Sequence, residues 1–194
     1  MNAHKLNLMP LKIDKSWTLF LDRDGVINER LPGDYVKTPE QFRFIKGSLE
    51  AIAICSKLFG RIIVVSNQQG IGKGLMTFDE LELVHHKFID EVNKAGGCID
   101  KIYISPYLES QHHFTRKPSV GMALMAKRDF NEISFRKAII AGDSNSDMLF
   151  GKRIGMKTVY IGSHEETRHS FHLIDFCYSD LFTFAVSLTT THCL

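Results

Sequence analysis

The sequence places two carboxylates two positions apart in the stretch FLDRDGVIN (20–28), where Asp22 and Asp24 are followed at once by Gly25. A carboxylate can act as a nucleophile, and a second one beside it can serve as general acid and then as base. Carboxylate oxygens are also ligands that Mg²⁺ prefers. A calcium-binding loop would need a third Asp or Asn before the glycine, so this stretch does not match one.

Two further stretches and one lysine carry groups that could act together with these carboxylates. SNQQGIGKG (66–74) begins with the Ser66 hydroxyl, and the backbone amides after it can form an anion-binding concavity. Its glycines fit neither a Walker loop nor a dinucleotide-binding motif. Lys117 offers a cation for a phosphate, and a later acidic stretch supplies Asp143 and Asp147.

Short apolar stretches alternate with longer stretches of helical periodicity, which predicts strands alternating with helices. Predicted strands cover residues 17–22, 61–67, 101–105, 137–143 and 157–162, and predicted helices cover 47–60, 77–97, 119–130 and 146–154. Residues 176–188 add one more strand and a helix. Near-continuous apolar strands are typical of parallel sheets buried on both faces. We therefore predict a doubly wound, Rossmann-like α/β fold with a mostly parallel sheet, in a single domain without a cap domain.

In such sheets, ligands bind beyond the carboxyl ends of the strands. Asp22, Ser66 and Asp143 lie at the ends of three predicted strands, and Lys117 lies in the loop after a fourth. Because these ends meet at one edge of the sheet, we expect the four side chains to form one site.

The composition limits the classes of binding partner and the cellular compartment that we expect. The net charge of +2, with scattered basic residues, does not indicate a nucleic-acid or membrane partner. No apolar stretch reaches the ~18 residues of a membrane span, and no signal peptide is evident. The four cysteines are widely spaced, which is typical of reduced thiols. We expect a cytoplasmic protein with a domain at 17–188 between tails at 1–16 and 189–194; its oligomeric state is open.

These residues resemble, in type and in their order along the chain, the motifs of the haloacid dehalogenase-like phosphohydrolase superfamily. FLDRDGVIN resembles its first motif, Ser66 its second, Lys117 its third and GDSNSD (142–147) its fourth. More narrowly, DRDGVIN, SNQQGIGKG and RKPSVGM (116–122) resemble the branch that contains D-glycero-D-manno-heptose 1,7-bisphosphate phosphatase and the histidinol-phosphatase domain. The similarity covers roughly residues 17–162.

The resemblance implies a role for each matching residue. Asp22 would be the nucleophile and Asp24 the general acid and base. Mg²⁺ would be held by the Asp22 carboxylate, the Asp24 backbone carbonyl and Asp143. The phosphoryl group or the rest of the substrate would be bound by Ser66, Asn67, Gln68, Arg116, Lys117 and Asn28. Asp147 would support Lys117 or the metal shell.

The chain departs from that branch just before Arg116. Many members carry a structural zinc loop there, with Cys-x-His followed by Cys-x-Cys. Here Ser105-Pro106-Tyr107 and His113-Phe114-Thr115 take these places. One histidine does not complete a tetrahedral zinc site. We therefore expect Mg²⁺ as the cofactor and no zinc, with an altered pocket rim.

The resemblance implies an Mg²⁺-dependent phosphatase that acts on a small phosphorylated sugar or related metabolite, similar to heptose 1,7-bisphosphate, through an aspartyl-phosphate. Histidinol phosphate and the 3′-phosphate ends of nucleic acids are alternative substrates, since an uncapped site can admit a polymer. A phospho-receiver domain is the non-enzymatic alternative. It also combines acidic residues with a lysine, but it leaves Asp24 unexplained.

Overall fold

A computed structural model describes residues 11–163 and 171–190 of the chain. Within that part, the strands are Thr18–Leu21 (β1), Arg61–Asn67 (β2), Lys101–Ser105 (β3), Ala138–Gly142 (β4), Lys157–Ile161 (β5) and Phe176–Tyr178 (β6). The helices are Ser48–Leu58 (α1), Gln69–Gly72 (α2), Phe78–Lys94 (α3), Gly121–Asp129 (α4), Asn145–Ile154 (α5) and Leu181–Thr190 (α6). Short 3-10 turns lie at Pro39–Gln41, Glu109–Gln111, Phe135–Lys137 and Phe171–Leu173.

The strands form one six-stranded parallel sheet in the order β3-β2-β1-β4-β5-β6, which confirms the predicted fold class. Side chains alternate between its two faces, as the period of a strand requires. Phe20 in β1 lies level with Ile63 in β2 and Ile140 in β4, and all three pack on one face. Leu19 and Val64 pack on the other. Burial on both faces explains why these strands read as continuous apolar stretches.

Helices cover both faces of the sheet, so the fold is doubly wound. On the face of Leu19, α1, α3 and α6 contribute Ile52, Val84 and Phe184 to the core. On the opposite face, α4 and α5 contribute Ala123 and Phe150. Residues 22–47, between β1 and α1, contain only one 3-10 turn, so no cap domain interrupts this segment.

The predicted elements are present, with shifts at their ends. Helix α3 begins with the capping box that the sequence predicts, since Thr77 Oγ1 accepts from the Glu80 amide at 3.1 Å and Glu80 Oε2 accepts from the Thr77 amide at 2.7 Å. Helix α4 begins at Gly121, two residues later than predicted. Helix α2 was not predicted, because its sequence QGIG contains two glycines, which are poor helix formers.

The ends of the described chain differ from the predicted tails. Ile13 is buried in the core, so ordered packing begins before residue 17. Helix α6 continues to Thr190, two residues beyond the predicted domain end. Residues 1–10 and 191–194 of the two predicted tails lie outside the described residues.

Three of the four cysteines lie in the described part, and each is a free thiol: Cys55, Cys98 and Cys177. Cys193 lies outside the described residues. A search of the described helices for one long and apolar enough to cross a membrane found none.

Candidate active site

The carboxyl ends of β1, β2 and β4 meet at one edge of the sheet, as predicted. Asp22 follows β1 directly, and its amide donates to the Ala141 carbonyl in β4 at 2.9 Å, so the strand pairing leads into the site. An open cleft of about 610 Å³ lies at this edge. Predicted residues that line it are Asp22, Asp24, Ser66, Asn67, Gln68, Arg116 and Lys117.

Lys117 is the buried cation of the site. Its Nζ lies 2.8 Å from Asp22 Oδ1 and 2.6 Å from Asp147 Oδ1, and it donates to the Val65 carbonyl at 2.8 Å. Burial alone would lower the pKa of Lys117, but the carboxylates of Asp147 and Asp22 outweigh burial and raise it. Lys117 is therefore a fixed positive charge that the Asp147 carboxylate holds beside Asp22.

Three carboxylates cluster beside Lys117. Asp22, Asp143 and Asp147 each offer an oxygen, and these oxygens lie within 4.8 Å of one another. Burial raises the pKa of Asp22 to about 6, and burial together with the Asp22 carboxylate raises the pKa of Asp143 to about 7. Such an all-oxygen cluster suits a hard divalent cation.

Arg30 also belongs to this site, although the sequence did not mark it. Its guanidinium Nη2 lies 2.6 Å from Asp143 Oδ1, and its Nε donates to the Asp24 backbone carbonyl at 2.9 Å. These acceptors are two of the three groups predicted to hold Mg²⁺. The side chain is about half exposed, at 54%. Arg30 lies in an irregular segment outside the recognised motifs, so no spacing signal could have found it.

Asp24 is held by three donors. Its Oδ1 accepts from Arg23 Nη2 and from Asn28 Nδ2, each at 2.9 Å, and its Oδ2 accepts from Gln68 Nε2 at 2.7 Å. Burial would raise the pKa of Asp24, but the Arg23 guanidinium and these hydrogen bonds outweigh it, so the pKa lies below its usual range.

Asn28 requires a correction. It was predicted to bind substrate, but it is fully buried and is not among the residues that line the cleft. Its amide group donates to Asp24 and to the Glu29 carbonyl at 2.9 Å. Asn28 therefore supports the Asp24 carboxylate from behind instead of facing a substrate.

The side chains at the end of β2 serve mainly to hold the loops. Asn67 Nδ2 donates to the Lys117 carbonyl at 3.1 Å, and Asn67 Oδ1 accepts from the Lys117 amide at 3.0 Å. This two-way contact ties Lys117 to β2. Gln68 joins the Ser66 hydroxyl to Asp24, with 2.7 Å from its Nε2 to Ser66 Oγ.

The 105–117 loop, from Ser105 to Lys117, is held by polar and ring contacts. Thr115 Oγ1 donates to Ser105 Oγ at 3.1 Å and lies 2.8 Å from His113 Nδ1. The rings of Tyr107 and His113 stack with their centroids 3.4 Å apart. The four side chains that replace the Cys-x-His and Cys-x-Cys ligands of the branch therefore still contact one another.

The end of this loop brings Arg116 and Lys117 to the cleft. Arg116 Nη1 donates to the Tyr107 carbonyl at 3.1 Å, while the side chain lines the cleft. The Lys117–Pro118 peptide is cis, and the Ser119 amide donates to the Arg116 carbonyl at 2.8 Å in a turn. Lys117 lies four residues before α4 starts at Gly121.

Comparisons with known proteins show which family this chain resembles. The family model described as polynucleotide kinase 3 phosphatase matches residues 19–190. The D-glycero-alpha-D-manno-heptose-1,7-bisphosphate 7-phosphatase of Mycobacterium bovis is 37% identical over 132 residues, which are 68% of this chain and 70% of that one. The D-glycero-D-manno-heptose-1,7-bisphosphate 7-phosphatase of Chlorobaculum tepidum is 32% identical over 175 residues, 84% of this chain and 87% of that one.

A solved structure shares the fold closely. It is the D,D-heptose 1,7-bisphosphate phosphatase from B. bronchiseptica, complexed with magnesium and phosphate. It matches with a TM-score of 0.81 and 26% sequence identity, covering 90% of this chain and 98% of its own.

Proposed function

Because the chain belongs to the polynucleotide kinase 3 phosphatase family of haloacid dehalogenase-like phosphatases, we propose that it removes a phosphate from a small phosphorylated sugar. D-glycero-D-manno-heptose 1,7-bisphosphate, the substrate named for its relatives, is the favoured candidate. The observation that carries the proposal is the buried contact between Lys117 and Asp22, with Asp143 in the same acidic cluster.

Asp22 is the nucleophile of the proposed reaction. Its Oδ1 accepts from Lys117 Nζ at 2.8 Å and from the Arg23 amide at 2.8 Å. Neither contact uses Oδ2, and we assign the attack on phosphorus to that oxygen. The attack forms an aspartyl-phosphate and releases the sugar oxygen. We assign to Lys117 and the Ser66 hydroxyl the contacts with the phosphoryl oxygens, whose charge must be stabilised during transfer.

Asp24 transfers the protons in both halves of the proposed reaction. The approach of a phosphate dianion raises the pKa of a neighbouring carboxyl, which favours a protonated Asp24 that can donate to the leaving sugar oxygen. Once the sugar has left, the three donors on Asp24 favour its ionised form. That form can accept a proton from the water that hydrolyses the aspartyl-phosphate.

The acidic cluster is suited to Mg²⁺. The Asp22 and Asp143 carboxylates and the Asp24 backbone carbonyl would hold the ion, and a bound cation would offset the burial and the neighbouring carboxylates that raise the pKa of both carboxyls. When bound, the ion supplies positive charge that stabilises the phosphoryl oxygens. Asp147 is committed to Lys117, so we assign it to holding the lysine.

We propose that the 105–117 loop functions without zinc. Ser105 and Thr115 share a hydrogen bond, and His113 contacts both Thr115 and the Tyr107 ring. Two hydroxyls, a phenol and one imidazole do not form the thiolate-rich set that structural zinc sites use.

The cleft supports a small anionic substrate. Its rim carries three cationic side chains, Arg30, Lys73 and Arg116, together with Tyr35. Lys73 Nζ lies 5.4 Å from the centre of the Tyr35 ring. Cations around a phosphoryl site favour a substrate with a second negative group, such as a sugar bisphosphate.

The second candidate is a 3′-phosphate at a nucleic-acid end, which the description of the matching family favours. An open cleft without a cap domain could admit a polymer. Nucleic-acid binding depends on many contacts to phosphates, and the net charge of +2 offers few. We therefore rank it second.

We also propose a cytoplasmic location. The unpaired thiols of Cys55, Cys98 and Cys177 support it, because such thiols persist in a reducing compartment.

The test is phosphate release from a panel of esters, with and without Mg²⁺. The panel contains heptose 1,7-bisphosphate, histidinol phosphate, hexose phosphates and 3′-phosphorylated DNA. Asp22→Asn is compared with the wild type and with Asp90→Asn, which removes the same charge from an exposed position in α3. We expect Mg²⁺-dependent turnover, fastest on the heptose bisphosphate, which Asp22→Asn abolishes and Asp90→Asn preserves. No Mg²⁺-dependent turnover on any ester would refute the proposed function, and turnover by Asp22→Asn would refute the nucleophile.

A further inference from the structure

Arg23 is a fully buried cation, and the proposed reaction uses it only as one of the three donors on Asp24. It lies between the two catalytic aspartates in the sequence, and its side chain is 0% exposed. Its Nη2 contacts Asp24 Oδ1 at 2.9 Å, and its Nη1 lies 3.2 Å from His85 Nε2. The ring of Phe42 lies 5.9 Å below the guanidinium carbon. Its Nε has no hydrogen-bond partner, so these contacts determine where the guanidinium lies.

His85 contributes the only acceptor from α3 among the described contacts of this guanidinium. An arginine can only donate, so His85 Nε2 accepts and the ring is the neutral tautomer with its proton on Nδ1. Burial and the Arg23 charge lower the pKa of His85 to about 3, which keeps the ring neutral near pH 7. The contact joins residues 62 positions apart.

The two ends of the guanidinium are thus held by different elements. His85 on α3 holds Nη1, and the Asp24 carboxylate after β1 accepts from Nη2. A guanidinium is a rigid plane, so fixing one terminal nitrogen orients the other. Helix α3 is itself anchored behind this point, because Phe88 stacks on Phe42 with ring centroids 5.4 Å apart.

We propose that His85 is a positioning residue for the reaction: it orients Arg23, and Arg23 in turn orients the Asp24 carboxylate for proton transfer. The inference rests on the proposed function, in which Asp24 is the general acid and base. Asp24 transfers its proton in the chemical step, not when the substrate binds. Loss of the His85 contact should therefore lower kcat and leave KM nearly unchanged.

The test compares His85→Gln, His85→Leu and His86→Leu. The amide oxygen of glutamine can reach the place of Nε2 and accept from Arg23, whereas leucine cannot accept. His86 is the neighbouring histidine, with a side chain 70% exposed, and serves as the matched control. We expect His85→Leu to lower kcat on the sugar phosphate roughly 10- to 100-fold, in line with the cost of a misplaced catalytic group. His85→Gln should recover most of that loss, and His86→Leu should match the wild type.

A second measurement separates positioning from general damage. Single-turnover rates of phosphoryl transfer to Asp22 are compared between the sugar phosphate and p-nitrophenyl phosphate, whose leaving group needs little protonation. A misplaced general acid slows the sugar phosphate more than p-nitrophenyl phosphate, because the demand for the acid grows with the basicity of the leaving oxygen. Thermal melting confirms that each variant folds. If His85→Leu does not fold, His85→Asn replaces it, since its shorter amide lies near the place of Nδ1.

Three outcomes overturn the inference while leaving the proposed function intact. They are wild-type kcat in His85→Leu, equal losses in the glutamine and leucine variants, and equal losses on the two esters. A wild type without turnover on any ester would overturn the proposed function, and this inference with it.

Discussion

Lys117 contacts two aspartates, and the two contacts differ in their exposure to the cleft. Asp147 is 0% exposed, so it stays paired with Lys117, whereas Asp22 lines the cleft and can exchange its contact for a phosphoryl group. A buried ion pair adds little net stability, but removal of one partner leaves a charge without compensation. We therefore expect the lysine to support the fold as well as the proposed phosphate binding.

We expect Lys117→Met to lower the free energy of unfolding by about 3 kcal/mol, because the buried Asp147 charge loses its partner. The double variant Lys117→Met/Asp147→Asn should recover part of that loss, since it removes the unpaired Asp147 charge. Urea unfolding in EDTA measures both. Lys94→Met, which breaks an exposed contact with Glu91, is the control and should change little. Equal losses in the single and double variants would contradict the explanation.

Arg30 should compete with Mg²⁺, since its guanidinium contacts the Asp24 carbonyl and Asp143. We expect Arg30→Met to bind Mg²⁺ roughly threefold to tenfold more tightly, up to ~1.4 kcal/mol. Isothermal titration calorimetry measures the dissociation constant directly. Lys73→Met, which removes a cation from the same cleft, is the control. An equal gain in both variants would indicate a general charge effect, and weaker binding in Arg30→Met would indicate that the arginine supports the ion.

Among the individual residues, the sequence predicts the site residues that lie at strand ends. It does not predict those that reach the site through the packing of other segments. Asp22, Ser66 and Asp143 follow from the topology, because the carboxyl ends of parallel strands meet. Arg30 and His85 reach the site from an irregular segment and from a helix face. Spacing alone does not reveal which of their neighbours in space they contact.

Among the elements, the 105–117 loop is held by hydrogen bonds and ring stacking between its own side chains. Thr115 Oγ1 contacts both Ser105 and His113, so one hydroxyl joins the two ends of the loop. Because Arg116 and Lys117 follow Thr115 directly in this loop, the contacts of Thr115 help to determine where both cations lie.

We expect the purified protein to contain no stoichiometric zinc, and Thr115→Val to lower the free energy of unfolding by about 1 kcal/mol, the usual net value of a buried hydrogen bond. Elemental analysis and urea unfolding measure the two quantities. Thr189→Val, the same change at an exposed position in α6, is the control. One zinc ion per chain, or equal stability of Thr115→Val and wild type, would show that something else holds the loop.

The elements were predicted well where burial dictates residue type. Strand β2 is a continuous β-branched stretch, and α3 carries both helical periodicity and a capping box. Helix α2 was missed because its two glycines oppose helix formation. Its helical conformation depends on the tertiary fold around it, which the local sequence does not reveal. The start of α4 was misplaced because a turn after Lys117 uses the residues that the pattern assigned to the helix.

Across the whole molecule, folding brings together carboxylates that are far apart in the chain. The pKa of Asp22 is raised to about 6 and that of Asp143 to about 7, both above the ordinary value of 3.8. The native state therefore holds these protons more tightly than the unfolded chain, and stability from this pair falls as pH rises from about 4 to 7. His85 acts in the opposite direction. With its pKa lowered from 6.5 to about 3, its contribution to stability rises with pH up to about 6.5.

A difference between variants isolates the carboxylate effect from that of His85. Because Asp143→Asn keeps His85 but cannot ionise at position 143, we expect it to gain stability relative to wild type by on the order of 2 kcal/mol from pH 5 to pH 8 in EDTA. Urea unfolding across this range measures the difference, with Asp90→Asn as the exposed control. Saturating Mg²⁺ should reverse the trend for wild type, because the ion binds the native carboxylates in their charged form. A difference that does not change with pH would mean that Asp143 is ionised throughout, and that Arg30 already supplies the charge assigned to Mg²⁺.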